Sequence, residues 1–280
     1  METENMLCGY PVSVNGTQVA CGRCMNCRIN KKREWVGKII LEQREYKSPS
    51  SFLTLSYNEE NYPKDASLKK SHIQTFVKRL RAGPMGKLRY FAVGEYGTEK
   101  GRAHYHMILF GQPAQMYEEV VQRTWHDGSE DRKIMGFTKI DELTPGRAAY
   151  IAKYNTKKMT SPDDERLDGR TPEFMLCSKF PPLGAAGIER ILTMLYSRAG
   201  AAALAKLGDV PKTFRAYGKQ WPISKYWVQH MRDELGIDRP SKNPWEIDIA
   251  KITHQQQEQA RQQADKRWRT KNRSNINSTF

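Results

Sequence analysis

Apolar residues recur along this chain with two periods, and the switches between them mark its elements. Ser51 to Tyr57 reads Ser-Phe-Leu-Thr-Leu-Ser-Tyr, an alternating run of strand formers that predicts a strand. Leu68 to Leu80 places Ile73, Phe76, Val77 and Leu80 at helical spacing, and Gly83-Pro84-Met85-Gly86 stops that helix. Leu88 to Glu95 and His104 to Phe110 predict two more strands, joined by a connector with Gly97 and Gly101. A helix over Ala114 to Trp125, a strand over Ile134 to Ile140 and a helix over Pro145 to Lys158 follow, with Pro145 suited to a first turn. Ahead of them, Asn26 to Tyr46 predicts a helix with one apolar stripe and one basic face.

The order strand, helix, strand, strand, helix, strand, helix predicts an α+β fold: an antiparallel sheet with helices packed on it. Later in the chain, Ile188 to Leu207 predicts a helix, and Phe214 to Trp227 mixes aromatic and basic residues. From Gln255 the chain is Gln-rich and then basic, with Arg261, Lys266, Arg267, Arg269, Lys271 and Arg273, and is expected to lack structure when free. The expected organisation is a Cys-rich head with a basic helix (1–47), a central core (48–160), an accessory region (161–250) and a basic tail (251–280), the later parts forming a helical C-terminal extension. No internal repeat is present.

Composition narrows the function classes. The chain has 280 residues, 38% apolar and 28% charged, which describes a soluble globular protein. It has no apolar run of about 18 residues that would span a membrane. Its start, Met1-Glu2-Thr3-Glu4-Asn5, does not read as a secretion signal. The net charge of +15 favours a polyanionic partner, since each Lys or Arg near a phosphate releases counterions.

Two segments carry candidate chemistry. Residues two apart on a strand share a face, so His104 and His106 present two imidazoles side by side. If the strands 88–95 and 104–110 form a hairpin, Glu95 falls near His104, although Glu99 is also nearby. Two imidazoles and a carboxylate can hold a divalent ion with positions left open for substrate. Mg²⁺ or Mn²⁺ suits phosphate chemistry, and Zn²⁺ also accepts such ligands. On the helix from Pro145, Tyr150 and Tyr154 are four apart and share a face, with Lys153 and Lys157 repeating that spacing beside them. A tyrosine can attack a phosphodiester and keep one side covalently, provided nearby charge favours its phenolate. Taken alone, the same helix also suits packed tyrosines and solvated lysines.

Four of the five cysteines, Cys8, Cys21, Cys24 and Cys27, lie in the first 27 residues. They are enough for one structural tetrahedral Zn²⁺, although Cys-x-x-Cys-x-x-Cys also occurs at iron–sulfur sites and reduced, partly buried cysteines remain open. Cys177 stands alone and reads as structural. His72, His126, His230 and His254 lack a partner pattern and read as surface or structural residues. Phe214, Tyr217, Trp221, Tyr226 and Trp227 suit either base stacking or a second small core. No phosphate-binding Gly-x-x-x-x-Gly-Lys-Ser/Thr occurs, so no helicase motor is expected.

The histidine and tyrosine segments together resemble the motifs of replication initiators in the His-hydrophobic-His (HUH) endonuclease superfamily. Tyr150-x-x-Lys153-Tyr154-x-x-Lys157 is similar to the two-tyrosine form in small single-stranded DNA phages. Phe52 to Tyr57 corresponds to a first, less specific motif. The Cys-rich head is similar to that of the gokushovirus branch of the microviruses. The resemblance covers roughly residues 8–160 and implies a ferredoxin- or RRM-like core. It also implies metal ligation by His104, His106 and Glu95, and a tyrosine attack leaving a 5′-phosphotyrosyl link and a free 3′-hydroxyl. The second tyrosine would then cut the regenerated origin and allow circle closure during rolling-circle replication. The implied partners are origin DNA and the host replication helicase and polymerase, in the host cytoplasm and without a membrane. Other readings are an HUH-type transposase or relaxase, a metal-dependent hydrolase or oxygenase without covalent tyrosine, and a non-catalytic nucleic-acid-binding protein.

Overall fold

The computed structural model describes residues 6–97, 100–153, 164–238 and 252–276, the last six of these as backbone only. The chain divides into two compact units, residues 39–187 and residues 1–38 with 188–280.

The unit 39–187 is an α+β sandwich. Its sheet has five strands: β3 (Ser51–Ser56), β4 (Tyr90–Tyr96), β5 (Ala103–Leu109), β6 (Thr138–Glu142) and β7 (Phe174–Cys177). They run in the order β6-β3-β5-β4-β7, every neighbouring pair antiparallel. The histidine strand β5 is therefore central, and both its neighbours contribute to whatever lies beside it. The fourth strand begins at Thr138 rather than Ile134, which makes an isolated bridge to His126. The fifth strand, β7, has no counterpart among the predicted elements, because four residues give too little alternation to stand out.

Alternation separates two faces of the sheet. On one, Leu53, Leu55, Ala92, Tyr105, Met107 and Leu109 form a core with α2 (Lys70–Ala82) and α3 (Ala114–Thr124). The predicted stripe Ile73, Phe76, Val77 and Leu80 is the buried face of α2. Trp125 closes this core, fully buried, with its indole Nε1 donating to the Ser56 carbonyl at 2.9 Å. His72 is structural, its Nδ1 2.7 Å from the Tyr57 hydroxyl, which in turn meets the Tyr105 hydroxyl at 2.7 Å.

The opposite face carries Phe52, Thr54, Glu95, His104 and His106. Helix α4 (Pro145–Ile151) is entered through Thr144, whose side chain accepts from the Arg147 N–H at 3.2 Å. The helix expected to reach Lys158 is described only to Ile151; residues 154–163 lie outside the described residues.

In the other unit, Asn15 and Gly16 both take positive φ and turn the hairpin β1 (Val12–Val14) to β2 (Thr17–Val19). Helix α1 (Met25–Gln43) starts in this unit; its residues from Ile39 onward belong to the sheet unit. The single helix expected over 188–207 is two, α5 (Ala185–Leu195) and α6 (Arg198–Leu207), because Ser197 caps a new helix by accepting from the Gly200 N–H at 3.1 Å. The aromatic and basic stretch folds as the hairpin β8 (Thr213–Ala216) to β9 (Lys219–Pro222) followed by α7 (Lys225–Leu235). Trp227 is buried there, whereas Tyr217 and Tyr226 are exposed.

The expectation of a structureless tail is corrected: His254–Ile276 forms helix α8. Its polar composition hid two residues four apart, Ala260 and Ala264, that are buried against the head. Among the described residues no helix is long and apolar enough to cross a membrane.

Candidate active site

The hairpin of β4 and β5 sets Glu95 directly opposite His104, and the β3–β5 register sets Thr54 opposite His106. Glu95 and His106 are buried, and His104 is partly exposed. One carboxylate oxygen, Glu95 Oε1, lies 3.3 Å from His104 Nε2 and 3.3 Å from His106 Nε2. The three side chains that sequence reasoning grouped thus converge through one ligand atom each, all within 4.8 Å of one another. Glu99, the alternative third ligand, lies outside the described residues.

The outer nitrogens of both rings are already engaged. His104 Nδ1 donates to the Arg102 carbonyl at 3.1 Å, and His106 Nδ1 meets the Thr54 hydroxyl at 3.1 Å. A carbonyl can only accept, so the His104 proton sits on Nδ1 and the Nε2 lone pair faces Glu95. Phe52 stacks on His106 with ring centroids 5.4 Å apart, fixing its tilt. This is the arrangement of supported ligands that a divalent cation requires: two imidazole lone pairs and a carboxylate, aimed inward from rigid strands. The donor set fits such an ion.

Helix α4 brings Tyr150 to the same point. Its hydroxyl donates to Glu95 Oε1 at 3.4 Å and stands 3.4 Å from His106 Nε2. The rings of His106 and Tyr150 are nearly perpendicular, 5.1 Å apart. Tyr150 is 47% exposed, so a substrate can reach it from solvent. Partial burial, followed by the negative charge of Glu95 and the hydrogen bond to it, raises its pKa above the ordinary tyrosine value. Lys153 lines the same groove; Tyr154 and Lys157 lie outside the described residues.

The groove in front of these residues has a volume of about 1000 Å³. Lys100, Arg102 and Lys153 supply positive charge along it, and Phe137 supplies an aromatic ring that is 77% exposed. Arg102 is paired with Glu59 at 2.7 Å and lies over the Tyr62 ring. Sequence reasoning gave no role to Thr54, Phe52 or Phe137. The alternation of β3 was enough to put Phe52 and Thr54 on one face, but only the sheet register showed that this is the histidine face.

A second constellation lies in the other unit, where Cys8, Cys21, Cys24 and Cys27 bring their sulfurs within 4.8 Å of one another. Cys177 is on β7, apart from them in sequence and in the sheet unit.

Residues 50–159 match a family model for the Replication-associated protein ORF2. The chain is 32% identical over 176 residues to the Replication-associated protein ORF2 of Spiroplasma virus 4, covering 58% of this chain and 54% of that protein. It is 31% identical over 154 residues to the Replication-associated protein ORF4 of Chlamydia phage 1, covering 49% and 38%. With the Replication-associated protein VP4 of Bdellovibrio phage phiMH2K it shares 26% identity over 234 residues, covering 75% and 70%. The chain thus spans about half the length of the first of these relatives and under two fifths of the second. No solved structure matches it. The segment that holds Glu95, His104, His106 and Tyr150 therefore matches the family of the Replication-associated protein ORF2, and the chain is similar to replication-associated proteins of small phages.

Proposed function

We propose that this protein is a replication initiator: a metal-dependent nickase of single-stranded DNA that cuts through a tyrosine and later rejoins the displaced strand in rolling-circle replication. The observation that carries the reading is the placement of the Tyr150 hydroxyl 3.4 Å from both Glu95 Oε1 and His106 Nε2. A side chain that only packed would have no reason to present its one polar atom to a converging set of ligand atoms. The family match adds that related proteins serve phage replication.

In this reading Glu95, His104 and His106 hold Mg²⁺ or Mn²⁺. The ion, when bound, would polarise a non-bridging phosphate oxygen and offset the Glu95 charge that otherwise favours the neutral phenol. Phe52 and His106 hold the Tyr150 ring so that its oxygen faces the groove mouth. Lys100 and Arg102 attract the phosphodiester backbone. The phenolic oxygen forms the new bond to phosphorus, the bond from phosphorus to the 3′-oxygen breaks, and the 3′-oxygen leaves as a hydroxyl by taking up a proton. The products are a 5′-phosphotyrosyl link and a 3′-hydroxyl primer for host polymerase, which works with the host helicase in the host cytoplasm. Lys153 stabilises the charge that develops at phosphorus, with Lys157 in the same role. Tyr154 makes the second cut while Tyr150 is covalently occupied, or the reverse.

The test is to incubate the protein with a labelled pool of single-stranded oligonucleotides of random sequence and Mn²⁺, then run a denaturing gel. A covalent adduct is expected, lost with a chelator and lost when Tyr150→Phe is combined with Tyr154→Phe. Absence of any adduct with every divalent metal sinks the covalent mechanism, and an adduct that survives the double substitution sinks the tyrosine assignment.

A further inference from the structure

We propose that Cys8, Cys21, Cys24 and Cys27 form a tetrathiolate site for a single structural Zn²⁺, which fastens the N-terminal head to helix α8. The local fold brings the four sulfurs together from two directions. The β1–β2 hairpin pairs Val12 with Val19, returning the chain so that Cys8 and Cys21 meet at its open end. Cys24 and Cys27 are one helical turn apart where α1 begins.

The spacing is that of ligands around one ion. Cys8 Sγ lies 4.0 Å from Cys24 Sγ, and Cys21 Sγ lies 4.0 Å from Cys27 Sγ. A tetrahedron with Zn–S bonds of about 2.3 Å has edges of about 3.8 Å. Disulfides need sulfurs about 2.05 Å apart, and all four thiols are free. An iron–sulfur cluster would place two or four irons between the ligands and spread the sulfurs further than this. Backbone N–H groups donate to sulfur as they do to thiolates: Cys21 N–H to Cys8 Sγ at 3.3 Å, and Cys24 N–H to Cys21 Sγ at 3.3 Å. The first turn of α1 has no acidic residue, so thiolates there supply the negative charge its N-terminus favours.

The loop that carries Cys8 is also the docking strip for α8. Gln257 Nε2 donates to the Cys8 and Gly9 carbonyls, both at 3.0 Å, and Arg261 Nε donates to the Gly9 carbonyl at 3.2 Å. A Cβ on Gly9 would stand 3.1 Å from the Ala260 carbonyl oxygen, so the backbones touch. Ordering of the loop by the ion therefore orders the partners of α8.

The full chain, purified without added chelator and dialysed, is tested by elemental analysis and by Co²⁺ exchange. One zinc per chain is expected in a Glu95→Ala/His104→Ala/His106→Ala variant, which separates this site from the other candidate. Co²⁺ should give the intense sulfur-to-metal charge-transfer absorption of a tetrathiolate. Stripping the zinc should abolish hydrogen-exchange protection around Ala260 and Ala264 while leaving that of Leu53 to Leu109 unchanged. Iron in place of zinc, fewer than four thiolates by the Co²⁺ spectrum, or protection of α8 that is indifferent to zinc would each overturn the proposal. Because the Co²⁺ spectrum is read on the unaltered cysteines, a Cys24→Ser variant that fails to fold does not decide the matter.

Discussion

The hydroxyl of Tyr150 and the Nε2 of His106 face each other at 3.4 Å across the junction between helix α4 and the central strand of the sheet. The two residues are 44 apart in sequence, and each comes from a segment whose pattern is ordinary when taken alone. Their meeting makes one ring a ligand candidate and the other a nucleophile candidate, since Glu95 Oε1 lies within 3.4 Å of both.

Tyr150→Phe removes only the hydroxyl. The ring contacts with Phe52 and His106 persist, so thermal stability should change little. If Tyr150 is the initiating nucleophile, the rate of the first cleavage should fall by about a thousandfold or more, as expected when a group acting directly in bond formation is lost. Single-turnover cleavage of a substrate identified from the captured adducts checks it. A first-cleavage rate within a fewfold of wild type would shift the initiating role to Tyr154.

Thr54→Val keeps the shape of the side chain and removes the partner of His106 Nδ1. Supporting hydrogen bonds of this kind hold a ligand in one tautomer and orientation, and losing one weakens metal binding by about 10–100-fold. Calorimetric titration with Mn²⁺ should show that loss. An unchanged affinity would mean that His106 is not a ligand or is held by Phe52 alone.

Phe137 is 77% exposed at the groove mouth, where an apolar ring gains nothing from the protein's own core. Stacking on an unpaired base would give it a role, at about 1–3 kcal/mol. Phe137→Ala should therefore weaken binding of single-stranded oligonucleotides by roughly 5–150-fold without lowering the melting temperature. Fluorescence anisotropy at fixed salt measures this, and equal affinity of the two proteins refutes a stacking role.

Asp209 and Arg232 give a pH dependence whose sign is fixed. Arg232 is buried and donates to both Asp209 oxygens, at 2.8 and 2.6 Å, with Lys212 3.1 Å away. The hydrogen bond from Arg232 leads the causes that hold the Asp209 carboxyl well below the usual carboxylate range. A depressed folded pKa stabilises the fold above the unfolded value of about 3.9, and that stabilisation is lost as pH falls towards the folded value. Acid unfolding of the unit that holds α7 should thus steepen below about pH 4. Asp209→Asn should flatten that acid limb and cost about 3 kcal/mol at neutral pH, because Arg232 is left buried without its counter-charge. Urea titrations at about pH 7 and about pH 3 compare the two, on either side of the unfolded value; parallel acid limbs would rule the pair out as the cause.

Much of the sheet unit was legible because its elements announce themselves within a few residues. The stripe of α2 and the alternation of β3 and β5 depend on neighbours in sequence, and the structure keeps them. What failed were features with little local signal. Strand β7 is four residues long and depends on β4 for its hydrogen bonds. Helix α8 reads as polar, since only Ala260 and Ala264 of its described side chains are buried and alanine is a weak hydrophobic marker.

The sequence by itself determined that His104 and His106 share a face, that Tyr150 sits near the start of a helix, and that four cysteines crowd the head. Period-two and helical geometry follow from the backbone and need no partner. Only the tertiary structure decided which strand stands opposite His104, which hydroxyl supports His106, and where the Tyr150 oxygen points. Those relations depend on strand register and helix docking, which are set by burial of residues far apart in the chain. A shift of one residue in the β4–β5 register would have turned Glu95 to the other face and left the histidines without their carboxylate.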